Sequence, residues 1–484
     1  MLTSDTTTTA ITEWKSSRRR TFILFCFFTS VIGTEYSIVT PSLLTYLQDV
    51  IKVENEAAWF AAIVSIYWLS SMVGSMFITK YADRSRNIRQ CCTVVFIIAS
   101  LGNFVYAVPY SPVFPLVGRM LQGFGDSLIS VITGEVVRVY PEDEVLSKVS
   151  ILISNYYVTF ILGPVLSLMF SRINFRFMDI PFTVTNLPNL ILGFVWLLCI
   201  LLNLTCVRNL SKEYDLKSEQ QTVEKELRKI EEEKRFLENH TEVSYGTIEK
   251  FVVLIPPKQI DGKSQHFSTK VTISTIKSYE NSSDVSITRF LRLKEFRVIL
   301  IINFLCAYIS VAFFDVALPF LCTKLYEMKL EMTGVLFSTT GLAFVVTLIF
   351  ILRRMKFMKN EIIFIIVGMS MFIVALQSMS ISIMVRDVRP LGYAFLALYS
   401  ILFGISWSVE QVLLGVIVAK MIPSNHQSYA EGIRRSVSSI AYVAAGCVTP
   451  LLTGYLVEQL IIISLFLFLS VFYLFMSDLK FQRI

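Results

Sequence analysis

Long apolar runs dominate the chain and fall into two groups of six, separated by a polar stretch at 208–296. The runs lie near 21–44, 58–80, 91–109, 113–137, 146–170 and 188–207, then near 297–320, 332–352, 361–384, 391–419, 431–456 and 459–477. A helix rises about 1.5 Å per residue and a bilayer core is about 30 Å thick, so each run is long enough to cross a membrane as one helix. The pattern predicts an all-α membrane protein of twelve transmembrane helices in two pseudo-symmetric six-helix bundles around a central cavity. It divides the chain into a tail at 1–20, a first bundle at 21–207, a central loop at 208–296, a second bundle at 297–478 and a tail at 479–484.

Composition agrees with the pattern, since 54% of the 484 residues are hydrophobic and 17% charged, more apolar surface than a soluble core can use. Arg18, Arg19 and Arg20 before Phe22–Phe28 resemble the start of a secretory signal. The run continues past Gly33 to Leu44 without a small-residue cleavage site, however, and reads as a retained helix. Disulfides and zinc are not expected, because Cys26, Cys199, Cys306 and Cys447 sit inside runs and only Cys91 and Cys92 are neighbours.

Basic residues collect on one side if the spans alternate: Arg18–Arg20, the Lys80–Arg89 loop, Arg353, Arg354, Lys356, Lys359, Lys420 and Lys480–Arg483. By the positive-inside rule both termini and the central loop are cytosolic, with Arg172, Arg176, Arg386 and Arg389 against the trend. Within the loop, Glu224–Glu238 places acids and bases at helical spacing and reads as a solvated helix, and Phe251–Ser283 as flexible chain. The sequons at Asn209, Asn239 and Asn281 then face the wrong compartment for glycosylation, and Tyr245–Ile248 has the shape of an endosomal sorting signal.

The two groups of runs repeat one another. Pro41-Ser42-Leu43-Leu44-Thr45-Tyr46-Leu47 closes the first run, Pro319-Phe320-Leu321-Cys322-Thr323-Lys324-Leu325 closes the seventh, and four of the seven positions agree. Gly123 and Gly404 in spans four and ten, and Pro164 and Pro450 in spans five and eleven, recur at nearly the same offset. Such matches mark parallel repeats.

Three short motifs carry a family resemblance. Tyr81-Ala82-Asp83-Arg84-Ser85-Arg86-Asn87-Ile88-Arg89 after span two resembles the acidic-basic loop signature of the major facilitator superfamily. Gly118-Arg119-Met120-Leu121-Gln122-Gly123-Phe124-Gly125-Asp126 is similar to that superfamily's fourth-helix motif, and Ile161-Leu162-Gly163-Pro164 to its fifth-helix glycine-proline motif. Thr79 and Arg86 stand where the loop signature usually has glycine, and Thr159 replaces a glycine upstream of Gly163. Within the superfamily, Tyr46-Leu47-Gln48, Phe160–Pro164 and Asp315–Leu321 resemble the lysosomal proteins of the neuronal ceroid lipofuscinosis type 7 group. That likeness implies a lysosomal or other endomembrane location, with the plasma membrane as alternative. In the loop, Asp83 can cap a neighbouring helix, span eleven being the natural candidate. Arg84, Arg86 and Arg89 can pair with Glu135 or Glu142–Glu144 as a cytosolic gate, or only set topology and attract anionic lipid.

An isolated ion in hydrocarbon costs several kcal/mol, so charges inside spans mark pathways or pairs. Glu35, Arg119, Asp126, Asp315 and Glu410 are such charges. Glu35 and Arg119 lie at matched depth, about 10 to 13 Å from the non-cytosolic surface, and are expected to interact directly or through water. Arg119, Gln122, Asp126, Ser130 and Thr133 form a polar stripe on span four, read as transport pathway or as a static interhelical network. Gly123 and Gly125, off the stripe, allow a close helix contact. Asp126 is the first candidate for a proton-binding carboxylate. In span ten, Trp407 and Gln411 share a face with Ser400 and Gly404 and can wall a cavity, while Glu410 lies nearer the cytosolic end. Asp315 reads as solvated at the outer end of span seven.

His240, His266 and His426 all lie outside the runs, and neither a nucleophile-base set nor a metal-ligand or phosphate-loop spacing occurs. No catalytic residue, metal or cofactor is expected, and the net charge of +7 belongs to topology rather than to nucleic acid. The chain reads as a monomeric secondary transporter, in contact with membrane lipid, that moves a small molecule or ion by alternating access, coupled to protons through Asp126 or Glu35. A passive anion pathway constricted by Arg119 and a non-transporting receptor or scaffold stay open beside it.

Overall fold

The computed structural model describes residues 2–170, 173, 175–177, 180–213, 294–354, 361–421 and 427–481, except for the side chains of 2–13 and of a few positions, Pro164 among them. The expected helix at Glu224–Glu238, the Tyr245–Ile248 segment, the sequons at Asn239 and Asn281, and Lys356, Lys359 and Arg483 lie outside the described residues.

Helices follow the apolar runs. Span one is Leu2–Val39, two Glu56–Ser85, three Ile88–Tyr106, four Val113–Asp126 and Leu128–Val139, five Glu142–Phe170 and six Leu187–Cys206. Span seven is Lys294–Ile309, carried on through π-helical turns to Leu325; eight is Leu330–Arg354, nine Glu361–Met384, ten Arg389–Met421, eleven Gln427–Leu451 and twelve Leu456–Phe481. A two-stranded hairpin, Phe175–Phe177 with Ile180–Phe182, lies between spans five and six.

Among the described residues nine helices are long and apolar enough to cross a membrane by length and composition. Spans four, five and eleven stand outside that set. Span four is interrupted at Ser127, and the early turns of eleven carry Arg434, Arg435, Ser436, Ser438 and Ser439. Such helices are tolerated because their polar faces turn inward. The opposite condition holds on the perimeter, where Phe194, Val346, Phe350 and Phe466 are more than half exposed, as lipid-facing side chains are.

The packing itself repeats. Span one packs on five, two on four, three on four and three on six; likewise seven packs on eleven, eight on ten, nine on ten and nine on twelve. The halves meet through two on eleven and five on eight, contacts that the same correspondence exchanges. The matched heptapeptides also share a shape: both run into π-helical turns, Tyr46–Ile51 and Leu321–Leu325, followed by left-handed Lys52 (φ 59°) and Glu327 (φ 51°). Pro41 lies in the turn that ends span one, Pro319 in the helical turn Leu318–Phe320, and Pro450 one residue before the end of span eleven.

Glycine marks the tightest of these contacts. A Cβ on Gly123 would strike the Tyr67 carbonyl of span two, and one on Gly404 the Thr340 carbonyl of span eight. Both repeats therefore use glycine where four meets two and ten meets eight. Gly125 faces Ala99 of span three, and Gly163 is pressed on the Ser37 backbone of span one.

Candidate transport site

Folding divides the span-four stripe between two environments. Arg119 and Gln122 turn into the first half, where Arg119 Nη1 donates to Gln122 Oε1 (3.1 Å) and Gln122 Nε2 donates to Asn103 Oδ1 (3.0 Å) and Asn189 Oδ1 (3.2 Å). Asn103 in turn donates to Glu35. The Arg119 guanidinium also lies over the Tyr67 ring at 4.2 Å and the Tyr36 ring at 5.5 Å. Glu35 and Arg119 are thus joined through two amides, Asn103 and Gln122. Asn103 and Asn189 escape a search for charges because an amide inside an apolar run carries none.

Asp126 and Ser130 instead line a cavity between the halves. Ser71 Oγ donates to Asp126 Oδ2 (2.6 Å), and Arg435 Nη1, from span eleven, donates across the cavity to Ser130 Oγ (3.3 Å). Arg434 is clamped by Asn303 of span seven: its Nη1 donates to Asn303 Oδ1 (2.8 Å), and Asn303 Nδ2 donates to the Arg434 carbonyl (3.1 Å) and Ser438 Oγ (2.8 Å). Trp407 and Gln411 line the same cavity. Tyr157 of span five donates to Gln411 Oε1 (3.1 Å), and its ring lies 5.3 Å from that of Trp407. Counting from the matched glycines, Asp126 corresponds to Trp407 and Ser130 to Gln411, so the two repeats put equivalent positions on one cavity. The arginines of span eleven are missed by sequence reasoning, because an arginine pair close to the end of a run looks like a topology signal.

At the end away from the termini the halves touch and close the cavity. Tyr36 donates to Asp315, the Phe60 and Phe320 rings meet edge-on at 5.3 Å, and Lys324 pairs with Glu56. Asp315 is therefore not solvated: it is 5% exposed, on the π-helical stretch Ser310–Ala317 whose eight residues are all buried. Glu410 is also sealed away. It is fully buried beside Cys306, and among the described residues neither of its carboxyl oxygens has a hydrogen-bond partner of ordinary geometry.

The loop after span two is organised within the first half. Asp83 pairs with Arg138 at the end of span four. Glu135 accepts the Ser211 N–H (2.9 Å) and Glu144 pairs with Arg18 (3.9 Å). Among the described residues, Arg84 and Arg89 form no ion pair; the side chains of Glu142 and Asp143, two of the expected partners, lie outside the described ones. Arg86 closes span two in the left-handed region (φ 52°), its N–H donating to the Ala82 carbonyl (2.9 Å). That is the backbone that explains a usual glycine there.

Two equivalent helical halves around a cavity, with contacts between the halves closing one end, define the class of two-bundle membrane proteins built for alternating access. The family model of the Major Facilitator Superfamily matches residues 24–446, and the chain belongs to that superfamily. It is similar in fold to the xylose transporter XylE from E. coli in a partially occluded inward open conformation (TM-score 0.64, 11% identity, 94% of this chain and 97% of that one). The nucleoside transporter NupG superposes with a TM-score of 0.58 at 13% identity, over 94% and 98% of the two chains. The human organic anion transporter MFSD10 (TETRAN) superposes with a TM-score of 0.58 at 14% identity, over 94% and 99%. No curated protein sequence matches the chain.

Proposed function

We propose that this protein is a secondary active transporter that carries a small solute across a membrane by alternating access, coupled to protons at Asp126. The observation that carries the reading is the placement of closure. Contacts between the halves shut one end of the cavity, while the ionisable groups Asp126, Arg434 and Arg435 line its wall. Rocking the halves, 21–207 against 297–478, about the contacts of two with eleven and five with eight would break those closures and form new ones at the termini end.

Asp126 suits coupling because it is buried, lines the cavity, and is faced by Arg119, Arg435, Tyr67 and Tyr156. Glu35 is held inside the first half by Asn103 and does not line the cavity, so it supports the network instead of carrying the proton. One fold neighbour is described as a D-xylose-proton symporter, which supports the same class of cycle here. We place both termini in the cytosol from the distribution of arginine and lysine, and the protein in a lysosomal membrane, as a monomer, from its short-patch likeness to the neuronal ceroid lipofuscinosis type 7 group.

Arg119 is not among the residues lining the cavity and bonds Gln122 within the first half, which speaks against a passive anion pathway constricted by it. Counterflow in proteoliposomes, with and without a pH gradient, tests the proposal. Solute exchange that an imposed gradient drives uphill, and that Asp126→Asn leaves as exchange without uphill uptake, is the expected outcome. Voltage-driven current without exchange would overturn it.

A further inference from the structure

The cavity presents two consecutive guanidinium groups from span eleven, and they are mounted differently. Arg434 is 6% exposed and held by Asn303, whose amide returns to the Arg434 carbonyl and to Ser438. That clamp fixes one cation in the wall of the second half. Arg435 reaches out of its own half to the neutral hydroxyl of Ser130 at 3.3 Å, one helical turn beyond Asp126. Each cavity carboxylate is also held by a hydroxyl, Asp126 by Ser71 and Asp315 by Tyr36.

Flat rings stand beside these ions. Trp68 of span two and Tyr442 of span eleven lie 4.2 Å apart between centroids, one ring from each half, and Trp407 and Tyr157 form a second such pair at 5.3 Å. Two guanidinium forks suit an oxyanion, since arginine donates two parallel hydrogen bonds to a carboxylate or related group. Aromatic faces suit a flat apolar body.

We propose that the solute is an organic anion: a flat apolar body, seated among the aromatic rings, that carries a carboxylate or similar oxyanion held by Arg434 and Arg435. The inference rests on the reading of this cavity as a transport pathway. It goes further in naming a charge and a shape. Two guanidinium groups in one cavity wall favour an anionic solute over a neutral one.

The test uses the full-length protein in detergent and in proteoliposomes with a set of probes: benzoate, 3-phenylpropionate and indole-3-acetate, the amide of each, 3-phenylpropylamine, and chloride. The acids are expected to raise the thermal midpoint and to exchange in counterflow, and the amides, the amine and chloride to do neither. Arg435→Gln is expected to weaken acid binding by about tenfold or more, and Arg435→Lys to recover part of it; both variants are first shown to keep the wild-type thermal midpoint without solute. Amides or the amine exchanging as well as the acids would overturn the anion inference while leaving the transporter reading intact. Acid affinity unchanged in Arg435→Gln, or stabilisation by chloride alone, would overturn it too. Stabilisation by the acids without any exchange would uphold the anion site and sink the transport reading instead, and no response to any acid would sink the inference outright.

Discussion

Tyr36 of span one donates its hydroxyl to the carboxyl group of Asp315 in span seven, tying two equivalent helices together at the closed end of the cavity. Tyr36→Phe removes that donor and leaves a buried acceptor without it, at a cost of about 1–3 kcal/mol to the closed form. Cys322, fully buried at the far end of span seven, should then react several-fold faster with a membrane-impermeant maleimide. An unchanged labelling rate would show that Phe60, Phe320 and the Glu56–Lys324 pair hold that end closed without it.

The contact of span two with span eleven can be locked. Cys447 Sγ lies 3.1 Å from Ser65 Oγ, so Ser65→Cys puts two thiols within reach of a disulfide. Mild oxidation is expected to abolish solute exchange and dithiothreitol to restore it. A Ser65→Cys, Cys447→Ser variant should show neither effect.

Access to the cavity separates the two acidic candidates of the first half. Glu35→Gln keeps an acceptor for Asn103 and should leave gradient-driven uptake close to wild type. Asp126→Asn should abolish gradient dependence while exchange persists. If protonated Asp126 is the loaded form, wild-type uptake rises as pH falls on the loading side and that of Asp126→Asn stays flat. Uptake assayed across a pH series decides this, and a flat wild-type profile would count against Asp126.

Glycine contacts predict a graded stability series. Gly123→Ala and Gly404→Ala drive a methyl group into the Tyr67 and Thr340 carbonyls, and overpacking of that kind costs about 1–3 kcal/mol. Gly134→Ala and Gly454→Ala, with nothing within 4 Å of the added carbon, should stay within about 0.5 kcal/mol. Thermal midpoints in detergent will rank the four.

Arg86 offers a substitution in the opposite direction. At φ 52°, replacing it by glycine relieves a left-handed strain of about 1 kcal/mol, whereas Arg86→Val, β-branched, adds to it. The same melting assay should place Arg86→Gly above Arg86→Ala, which also lacks the guanidinium but keeps the strain, and Arg86→Val lowest.

Much of the architecture was legible in the order of residues. A membrane helix must satisfy its backbone internally and match the bilayer with apolar side chains, so run length alone marks most of the spans. Repeated Gly123 and Gly404 likewise announced two equivalent helix contacts, because only a missing side chain permits them. The polar residues were harder to assign. Arg119 and Asp126 sit on one helix face, yet one enters a buried amide network and the other the cavity; Asp315 looked like an end-of-helix charge and is buried through π-helical turns. Arg434 and Arg435, close to the end of an apolar run, drew no assignment and prove to be cavity wall. By itself, then, the sequence determined the membrane class, the helices and their repetition, because these follow from local hydrophobicity and spacing. Which polar groups face the cavity was decided only by tertiary structure, because a side chain's environment is set by the helix packed against it, and that neighbour comes from the other half of the chain.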